Sequence, residues 1–163
     1  MQIESLNDGH DRTGFVSGVD PLDRYFRTQA GQDVRKRVAS CFVLTESDGG
    51  APIGFYTLAA TSLALADLPA ALAKRLPRYP TVPATLMRRL AVDIRRRRLG
   101  LGQLMLLDAF SRTLRSDIAA FAFVVDAKDE EAAAFYASHS FIPLTADSRR
   151  LFVPMAEVAK IFA

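Results

Sequence analysis

The spacing of apolar side chains divides the chain into segments with a helical period and segments with the pattern of strands. Apolar residues that recur every three or four positions predict an amphipathic helix. This pattern predicts five helices, over residues 21–29, 67–76, 103–114, 129–138 and from 155 onward. The helix over 103–114 is expected to bury Leu104, Leu107, Ala109 or Phe110, and Leu114.

The first predicted helix has a clear start. Asp20 is expected to be its N-cap, with Pro21 at the first helical position, where a missing N–H leaves no hydrogen bond unmade. The basic segment 32–37 either extends this helix or forms a loop. The acidic residues that begin the 129–138 helix lie where the helix dipole favours negative charge.

Short apolar runs bounded by turn residues predict strands. They lie near Ile3 and over residues 40–45, 53–59, 85–92, 118–125, 141–144 and 150–153. A hairpin turn is expected at 47–50, and the proline-rich segment PRYPTVP (77–83) is expected to be a loop. This order of elements predicts a mixed α/β (α+β) fold, with a central mixed sheet of six to seven strands flanked by helices.

Charged chemistry is concentrated where one predicted strand leads into one predicted helix. The apolar run Leu90, Ala91, Val92 is followed by four arginines and then by Gly100 and Gly102. Backbone N–H groups in the first turn of a helix have no partner within the helix, and glycine lets the main chain approach a phosphate closely. Residues 97–102 are therefore interpreted as a pyrophosphate site, although an ordinary helix start with a basic flank has the same pattern.

Length and composition indicate one domain, residues 1–163, of an ordinary globular protein. The single cysteine, Cys41, lies in an apolar run and is expected to be a buried strand residue. One cysteine and the isolated His10 and His139 give no zinc-ligand spacing, so no metal is expected. The chain has no apolar run of about 20 residues and no signal-peptide pattern at its start, which favours a cytoplasmic protein without a membrane anchor.

The basic residues are almost all arginine. The net charge is only +3, but the 21 basic residues comprise 17 Arg and 4 Lys. Arginine is favoured where planar phosphate groups are bound, so this surplus indicates an RNA or nucleotide partner. High-GC genomes also enrich arginine without any binding role, and both explanations stay open at this point.

Three segments resemble a known family when they are taken together. RLAVD, RRRRLGLGQLMLLDA and VVDAKDEEAAAFYASHSF resemble the acetyl-CoA-binding core of the GNAT acetyltransferases, whose loop pattern Gln/Arg-x-x-Gly-x-Gly/Ala is filled here by Arg97, Gly100 and Gly102. SGVDPLDRYFRTQAGQDVRKR, PRYPTVPATLMRRLAVD and RRLFVPM resemble the GNAT-type toxins of bacterial type II toxin-antitoxin modules. Two positions depart from the pattern, because Ser140 stands where a glycine is usual and Ser17 where a cysteine is usual.

The resemblance implies an acyltransferase that takes acetyl-CoA as co-substrate, without a metal, and acetylates the α-amino group of aminoacyl-tRNA, which blocks translation. It also implies a ribbon-helix-helix antitoxin as partner and a homodimer. A backbone N–H near Val92 would polarise the thioester carbonyl. The implied cofactor-binding residues are Leu90, Ala91, Val92, Arg97, Arg98, Leu99, Gly100, Leu101, Gly102 and Gln103.

Tyr136 is the candidate catalytic acid. A phenol with a pKa near 10 can donate a proton to a departing thiolate whose acid has a pKa near 8.5. Phe135 is expected to pack inward while Tyr136 points to the cleft; the alternative is that Tyr136 only packs. No general base is evident, and an α-amino group with a pKa of about 7.7–8.0 needs none near neutral pH.

The RNA part of the substrate requires positive surface. The candidate residues are Arg35, Lys36, Arg37, Arg78, Arg88, Arg89, Arg95 and Arg96. Two other functions stay open on the sequence: a GNAT enzyme that acetylates a small-molecule amine or a protein N-terminus, and a non-catalytic module that binds nucleotide or RNA.

Overall fold

The computed structural model describes residues 1–47, 50–145 and 149–163. The chain forms two compact units, the first made of Met1–Ala59 and Arg88–Ser111 and the second of Ala60–Met87 and Arg112–Ala163. The predicted hairpin turn at 47–50 includes Asp48 and Gly49, which lie outside the described residues. No helix within the described ranges combines the length and apolar character that a membrane span needs.

The described residues form eight strands and six helices. The strands are β1 (Gln2–Ser5), β2 (Ser40–Thr45), β3 (Gly54–Ala64), β4 (Thr81–Met87), β5 (Leu90–Val92), β6 (Ala122–Asp126), β7 (Ile142–Pro143) and β8 (Arg150–Pro154). The helices are α1 (Asp20–Thr28), α2 (Ala30–Arg35), α3 (Ala70–Ala73), α4 (Leu101–Arg115), α5 (Glu130–Ala137) and α6 (Met155–Ile161). The strand order is β1-β2-β3-β4-β6-β8-β7, with β5 paired to β3, and this mixed sheet confirms the predicted fold class.

The first unit is built around three phenylalanine rings. β1 pairs with β2, β2 with β3 and β3 with β5, all antiparallel. The ring of Phe26 on α1 stacks on Phe55 of β3 with centroids 4.2 Å apart, and Phe15 meets Phe26 edge-on at 4.9 Å. Each of these buried rings contributes about 1.5–3 kcal/mol to stability through the area it removes from water. They attach α1 to the sheet.

The predicted cap of α1 was wrong. Val19 is the N-cap, and Asp20 lies in the first turn. No side chain caps α1. Asp23 instead attaches the preceding segment to the helix, since its Oδ1 accepts bonds from the Ser17 backbone N–H (2.9 Å) and hydroxyl (2.6 Å). The basic segment that follows α1 is helical up to Arg35, where α2 ends.

The buried face of α4 differs from the predicted one. The residues buried on α4 are Leu101, Met105, Leu106, Ala109, Phe110 and Thr113. Of the predicted set, Leu104 (41% exposed) and Leu114 (36% exposed) face outward and Leu107 is half-buried, while Ala109 and Phe110 are buried as expected. The helix carries leucines on several sides, so apolar spacing alone did not select the face.

The predicted strand over 85–92 is divided into two strands. Both lie against β3, but only β4 also pairs, in parallel, with β6. β5 pairs antiparallel with β3 alone, through Leu90 opposite Tyr56 and Val92 opposite Gly54. This division produces the eighth strand. β4 also begins inside the segment predicted to be a loop, with Pro83 inside the strand.

The second unit contains a parallel pair and its antiparallel neighbours. β4 pairs with β6, β6 with β8 and β8 with β7. The strand predicted over 118–125 is shorter than expected, because β6 begins at Ala122. Ile118 lies outside the strand and is 80% exposed. The helix predicted over 67–76 is reduced to a 3₁₀ turn at Leu65–Asp67 and the single turn of α3.

Helix α5 agrees with the prediction, and its end explains one departure from the family pattern. Asp129 caps the helix by accepting a bond from the Ala132 N–H (2.8 Å). The chain leaves the helix through Ser140, whose φ of +72° lies in the left-handed region that favours glycine. The rings of Tyr136 and Phe141 then meet at 5.4 Å across this turn.

Replacing Ser140 with glycine should therefore stabilise the protein. We expect Ser140→Gly to raise the free energy of unfolding by roughly 0.5–1 kcal/mol, because it removes the left-handed strain of a side chain. Denaturant unfolding measures this change. Ser138→Gly is the matched control, since Ser138 has a helical φ of −66° and donates to the Phe135 carbonyl, so this variant should be less stable than the parent.

Candidate active site

The loop between β5 and α4 presents a row of unused backbone donors. Within the described chain, no backbone N–H from residue 97 to residue 103 donates a hydrogen bond. Residues 97–100 are exposed, and the chain reverses through Arg98 (φ +64°) and Gly100 (φ +74°). The row ends in the first turn of α4, a 15-residue helix whose dipole adds positive potential. We call residues 97–103 the donor loop; its grouped N–H donors are suited to a phosphate.

The start of the donor loop is tied to the segment 14–18. Ile94 N–H donates to the Val16 carbonyl (2.8 Å), and Val16 N–H donates to Asp93 Oδ2 (3.3 Å). The Arg95 guanidinium donates to the Gly14 carbonyl (3.1 Å), and the Arg97 guanidinium to the Ser17 carbonyl (2.8 Å). These four hydrogen bonds fix the loop's entry without using its own N–H groups.

Asp93 organises this attachment. It is 1% exposed and holds the Arg95 guanidinium by two hydrogen bonds, Nε to Oδ1 (2.9 Å) and Nη2 to Oδ2 (2.8 Å). Its Oδ1 also accepts from the Arg95 backbone N–H at 3.0 Å. These bonds, that of the Arg95 side chain above all, lower the pKa of Asp93 to about 2. The carboxylate therefore stays ionised throughout the physiological range.

Gly18 allows Arg97 to approach the segment. Its φ is +92°, and a Cβ at this position would lie 3.0 Å from Arg97 Nη2. The Arg97 side chain, predicted to meet the cofactor, thus has one donor on the Ser17 carbonyl. A guanidinium has five N–H donors, so the side chain keeps others for a ligand.

Tyr136 lies in the second unit on α5, and its ring is buried. It is 5% exposed and touches Phe135 (5.3 Å) and Phe141 (5.4 Å) edge-on, while Phe135 is half-buried. Phe135, which was expected to pack inward, is thus less buried than Tyr136. Burial, with the nearby Asp126 charge, holds the pKa of Tyr136 well above its usual value.

The hydroxyl of Tyr136 stays available although its ring is buried. In the described part of the chain it has no hydrogen-bond partner. The only side-chain oxygen or nitrogen there that is both fully buried and without a hydrogen bond is Thr45 Oγ1, so the Tyr136 oxygen is not fully buried. Its oxygen therefore retains contact with solvent. His139 Nδ1 lies 2.9 Å from the Phe135 carbonyl and 3.1 Å from the Ser138 hydroxyl, which attaches the ring to the end of α5.

The predicted RNA-binding residues differ in their exposure and contacts. Arg89, Arg95 and Arg96 contact the Tyr25 ring, Asp93 and Glu46 respectively. Arg95 is nevertheless exposed, as are Arg35, Lys36, Arg37, Arg78 and Arg88. The sequence could not show the contacts of Arg89 and Arg96, because their partners lie 50 or more residues away.

Neither thiol chemistry nor a metal cluster is suggested by the described residues. Cys41 is buried in β2, which raises its pKa to about 12. Ser17, at the position where cysteine is usual in the family, is buried and bonded to Asp23. No group of three or more histidine, cysteine or acidic side chains able to hold a metal occurs in the described ranges.

The mixed sheet and the donor loop before α4 are those of the GNAT class of acetyltransferases. No family model matches the chain. The tRNA-acetylating toxin of Mycobacterium tuberculosis is 35% identical over 154 residues, which cover 93% of this chain and 90% of that protein. The probable toxin TacT of Sinorhizobium fredii is 28% identical over 169 residues, which cover 98% and 93%. The chain belongs to the GNAT-type toxins of bacterial type II toxin-antitoxin modules.

Solved structures of this class share the fold. AtaT complexed with acetyl-methionyl-tRNAfMet superposes with a TM-score of 0.89 at 26% identity and covers 99% of each chain. AtaTR bound with AcCoA gives 0.85 at 25% identity, covering 99% of this chain and 98% of the other. A tyrosine-to-phenylalanine mutant of AtaT, bound to the C-terminus of the antitoxin AtaR, gives 0.82 at 24% identity with 99% and 98% coverage.

The conformation of Gly100 generates a prediction for cofactor affinity. A Cβ at residue 100 would meet nothing within 4 Å, so Gly100→Ala acts through its φ of +74° alone. We expect the Kd for acetyl-CoA to rise about tenfold, which corresponds to about 1.4 kcal/mol. Gly14→Ala is the control, since its Cβ also enters open space but its φ is not positive. Equal affinities for the two variants, by calorimetry, would show that the loop conformation does not matter for binding.

Proposed function

We propose that this protein transfers the acetyl group of acetyl-CoA to the α-amino group of an aminoacyl-tRNA and thereby blocks translation. The observation that carries this proposal is the donor loop, with its unbonded N–H groups, in a chain 35% identical to a tRNA-acetylating toxin. Structural neighbours that bind AcCoA and acetyl-methionyl-tRNA support the same co-substrate and acceptor. Because aminoacyl-tRNA is the acceptor, the cytoplasm is the place of action.

The donor loop is assigned to the pyrophosphate of acetyl-CoA, with Arg97, Arg98, Leu99, Gly100, Leu101, Gly102 and Gln103 supplying backbone N–H groups. Leu90, Ala91 and Val92 of β5 are assigned to the pantetheine end and the thioester. Acetyl-CoA supplies the acetyl group. β5 is held antiparallel against β3, so a backbone donor near Val92 is fixed before the reaction begins.

Tyr136 is assigned as the proton donor. The amine nitrogen forms a bond to the carbonyl carbon, the carbon–sulfur bond breaks, and the sulfur takes the phenolic proton while the amine releases its own proton to solvent. The Tyr136 hydroxyl is protonated at neutral pH, as a proton donor must be. Its raised pKa also makes it a weaker acid, so the proton moves only as negative charge builds on the sulfur. The α-amino group needs no base, since much of it is already neutral near its pKa of about 7.7–8.0.

The partners follow from the same assignment. The exposed cations Arg35, Lys36, Arg37, Arg78 and Arg88 are proposed to contact the tRNA backbone, together with Arg89, Arg95 and Arg96. Such contacts would make affinity fall with salt. A homodimer, a ribbon-helix-helix antitoxin and a single acetyltransferase domain over residues 1–163 complete the proposal. Of these, the antitoxin partner is supported by the antitoxin complex of AtaT.

An acceptor assay tests this function. Purified protein is incubated with labelled acetyl-CoA and, separately, charged tRNA, the same tRNA after deacylation, and small amines. We expect label in charged tRNA only, on the amino acid. Transfer to small amines but not to charged tRNA would establish the alternative acetyltransferase, and no transfer to any acceptor would leave a binding module as the function.

Tyr136→Phe should lower kcat by about 10²–10⁴-fold, because general acid catalysis typically contributes that much. The KM for acetyl-CoA and the unfolding midpoint should not change, since the ring contacts remain. Tyr79→Phe, at a tyrosine that is 65% exposed, is the control and should be fully active. Normal turnover in Tyr136→Phe would remove Tyr136 from the mechanism.

The pH dependence of the parent enzyme gives a second measurement. The rate should rise as the acceptor amine loses its proton near pH 8 and then remain level. The raised pKa of Tyr136 means that its acid form persists as the pH rises, so ionisation of this phenol should not lower the rate below about pH 10. A loss of rate between pH 8 and pH 10 that Tyr136→Phe abolishes would contradict this assignment.

A further inference from the structure

One arginine directly before β5 is held in place but uses none of its hydrogen-bond donors. The central guanidinium carbon of Arg89 lies 3.5 Å from the centroid of the Tyr25 ring. Among the described residues this guanidinium makes no hydrogen bond, although the side chain is half-buried. A partly desolvated guanidinium with free donors strongly favours a planar or tetrahedral anion.

The ring beneath Arg89 is rigidly supported. Tyr25 is 8% exposed and lies parallel to Phe55 in the core of the first unit. Its hydroxyl donates to Asp33 Oδ2 (2.8 Å), while the Gln29 side-chain amide donates to Asp33 Oδ1 (3.0 Å). Tyr25 therefore has little freedom to rotate.

Asp33 does not satisfy Arg89 directly. Each Asp33 oxygen is already bonded, one to Gln29 and one to Tyr25. These bonds, with the charges of Arg89 and Arg88, hold the pKa of Asp33 below its usual value. The carboxylate thus balances part of the Arg89 charge from a distance and leaves the five N–H donors for a ligand.

The backbone places Arg89 directly before β5, the strand assigned to the thioester. The Arg89 carbonyl accepts a hydrogen bond from the Thr57 N–H (3.1 Å), so residue 89 is attached to β3 as β5 is. It precedes β5 by one residue, whereas the donor loop begins five residues after β5. An anion bound here belongs to the end of the substrate that approaches β5.

We propose that Arg89, presented by Tyr25, binds the last phosphodiester of the aminoacyl-tRNA, the one nearest the aminoacylated ribose, and so places the α-amino group. This inference rests on the proposed function. Arg89 is a binding residue, and Tyr25 is a positioning residue that acts through it.

Two minimal acceptors test the assignment. One is an aminoacyl-adenosine, which lacks the phosphodiester, and the other is an aminoacylated CCA trinucleotide, which carries it. Arg89→Ala should raise the KM for the trinucleotide about 10–100-fold, as expected for the loss of charge-assisted hydrogen bonds. The KM values for aminoacyl-adenosine and acetyl-CoA, and kcat, should be unchanged. Arg24→Ala, an exposed arginine on α1 beside Tyr25, is the control and should behave as the parent.

Conservative variants separate binding from folding. Arg89→Lys keeps the charge but not the planar stack, and Tyr25→Phe keeps the ring but releases Asp33, so both should raise the trinucleotide KM by less than Arg89→Ala. Equal losses on the two acceptors, an increase in the KM for acetyl-CoA, or an unchanged trinucleotide KM would each overturn the inference. If the parent protein acetylates neither acceptor nor charged tRNA, the proposed function fails, and this inference fails with it.

Discussion

The hydrogen bonds between residues 14–18 and 93–97 are the constraint on which the donor loop depends. A loop can leave successive N–H groups unbonded only if something else fixes its path. Here Asp93 and two arginine side chains supply the fixed points, and Gly18 provides the space for one of them. The donor loop is thus organised by acceptors that precede it and not by contacts of its own N–H groups. Backbone strain is accepted at Arg98, a non-glycine residue with a positive φ, because the start of the loop is held.

The end of the pairing with β6 after Met87 is the second constraint. The chain leaves β4, which lies between β3 and β6, and enters β5, which pairs with β3 alone. Two consecutive arginines at this point have backbones that are partly outside the regular ladder, and the Arg89 carbonyl is retained by Thr57. The side chains are therefore presented where the sheet pairing changes, which is also where β5 begins. The arginine side chains therefore come from the junction between two strands, and the pairing of these strands with β3 holds the junction in place.

The sequence predicted the order and type of the elements and the position of the donor loop, because glycine, proline and apolar spacing act locally. Most errors concern contacts between distant residues. Leucines lie on several sides of α4, so packing against the sheet, through Met105 close to Gly54, selected its face. The division of 85–92 depends on pairing with β3 and β6. Asp93 was missed although its main partner, Arg95, is two residues away, because its bond with the Val16 N–H depends on a segment 77 residues earlier that no local pattern reveals.

The two serines that depart from the family pattern show how local chemistry compensates for a substitution. Ser17 cannot supply a thiol, but its hydroxyl donates to the buried Asp23 and accepts from the Val19 N–H (3.2 Å), so it orders the start of α1. That start also contributes the Ser17 carbonyl that holds Arg97. Ser140 retains the left-handed turn after α5 at the expense of strain, since the turn lets Phe141 return to the Tyr136 ring. At both positions the backbone still places a functional side chain, Arg97 near Ser17 and Tyr136 near Ser140. Ser17 contributes stability through its hydrogen bonds, whereas Ser140 costs stability through its positive φ.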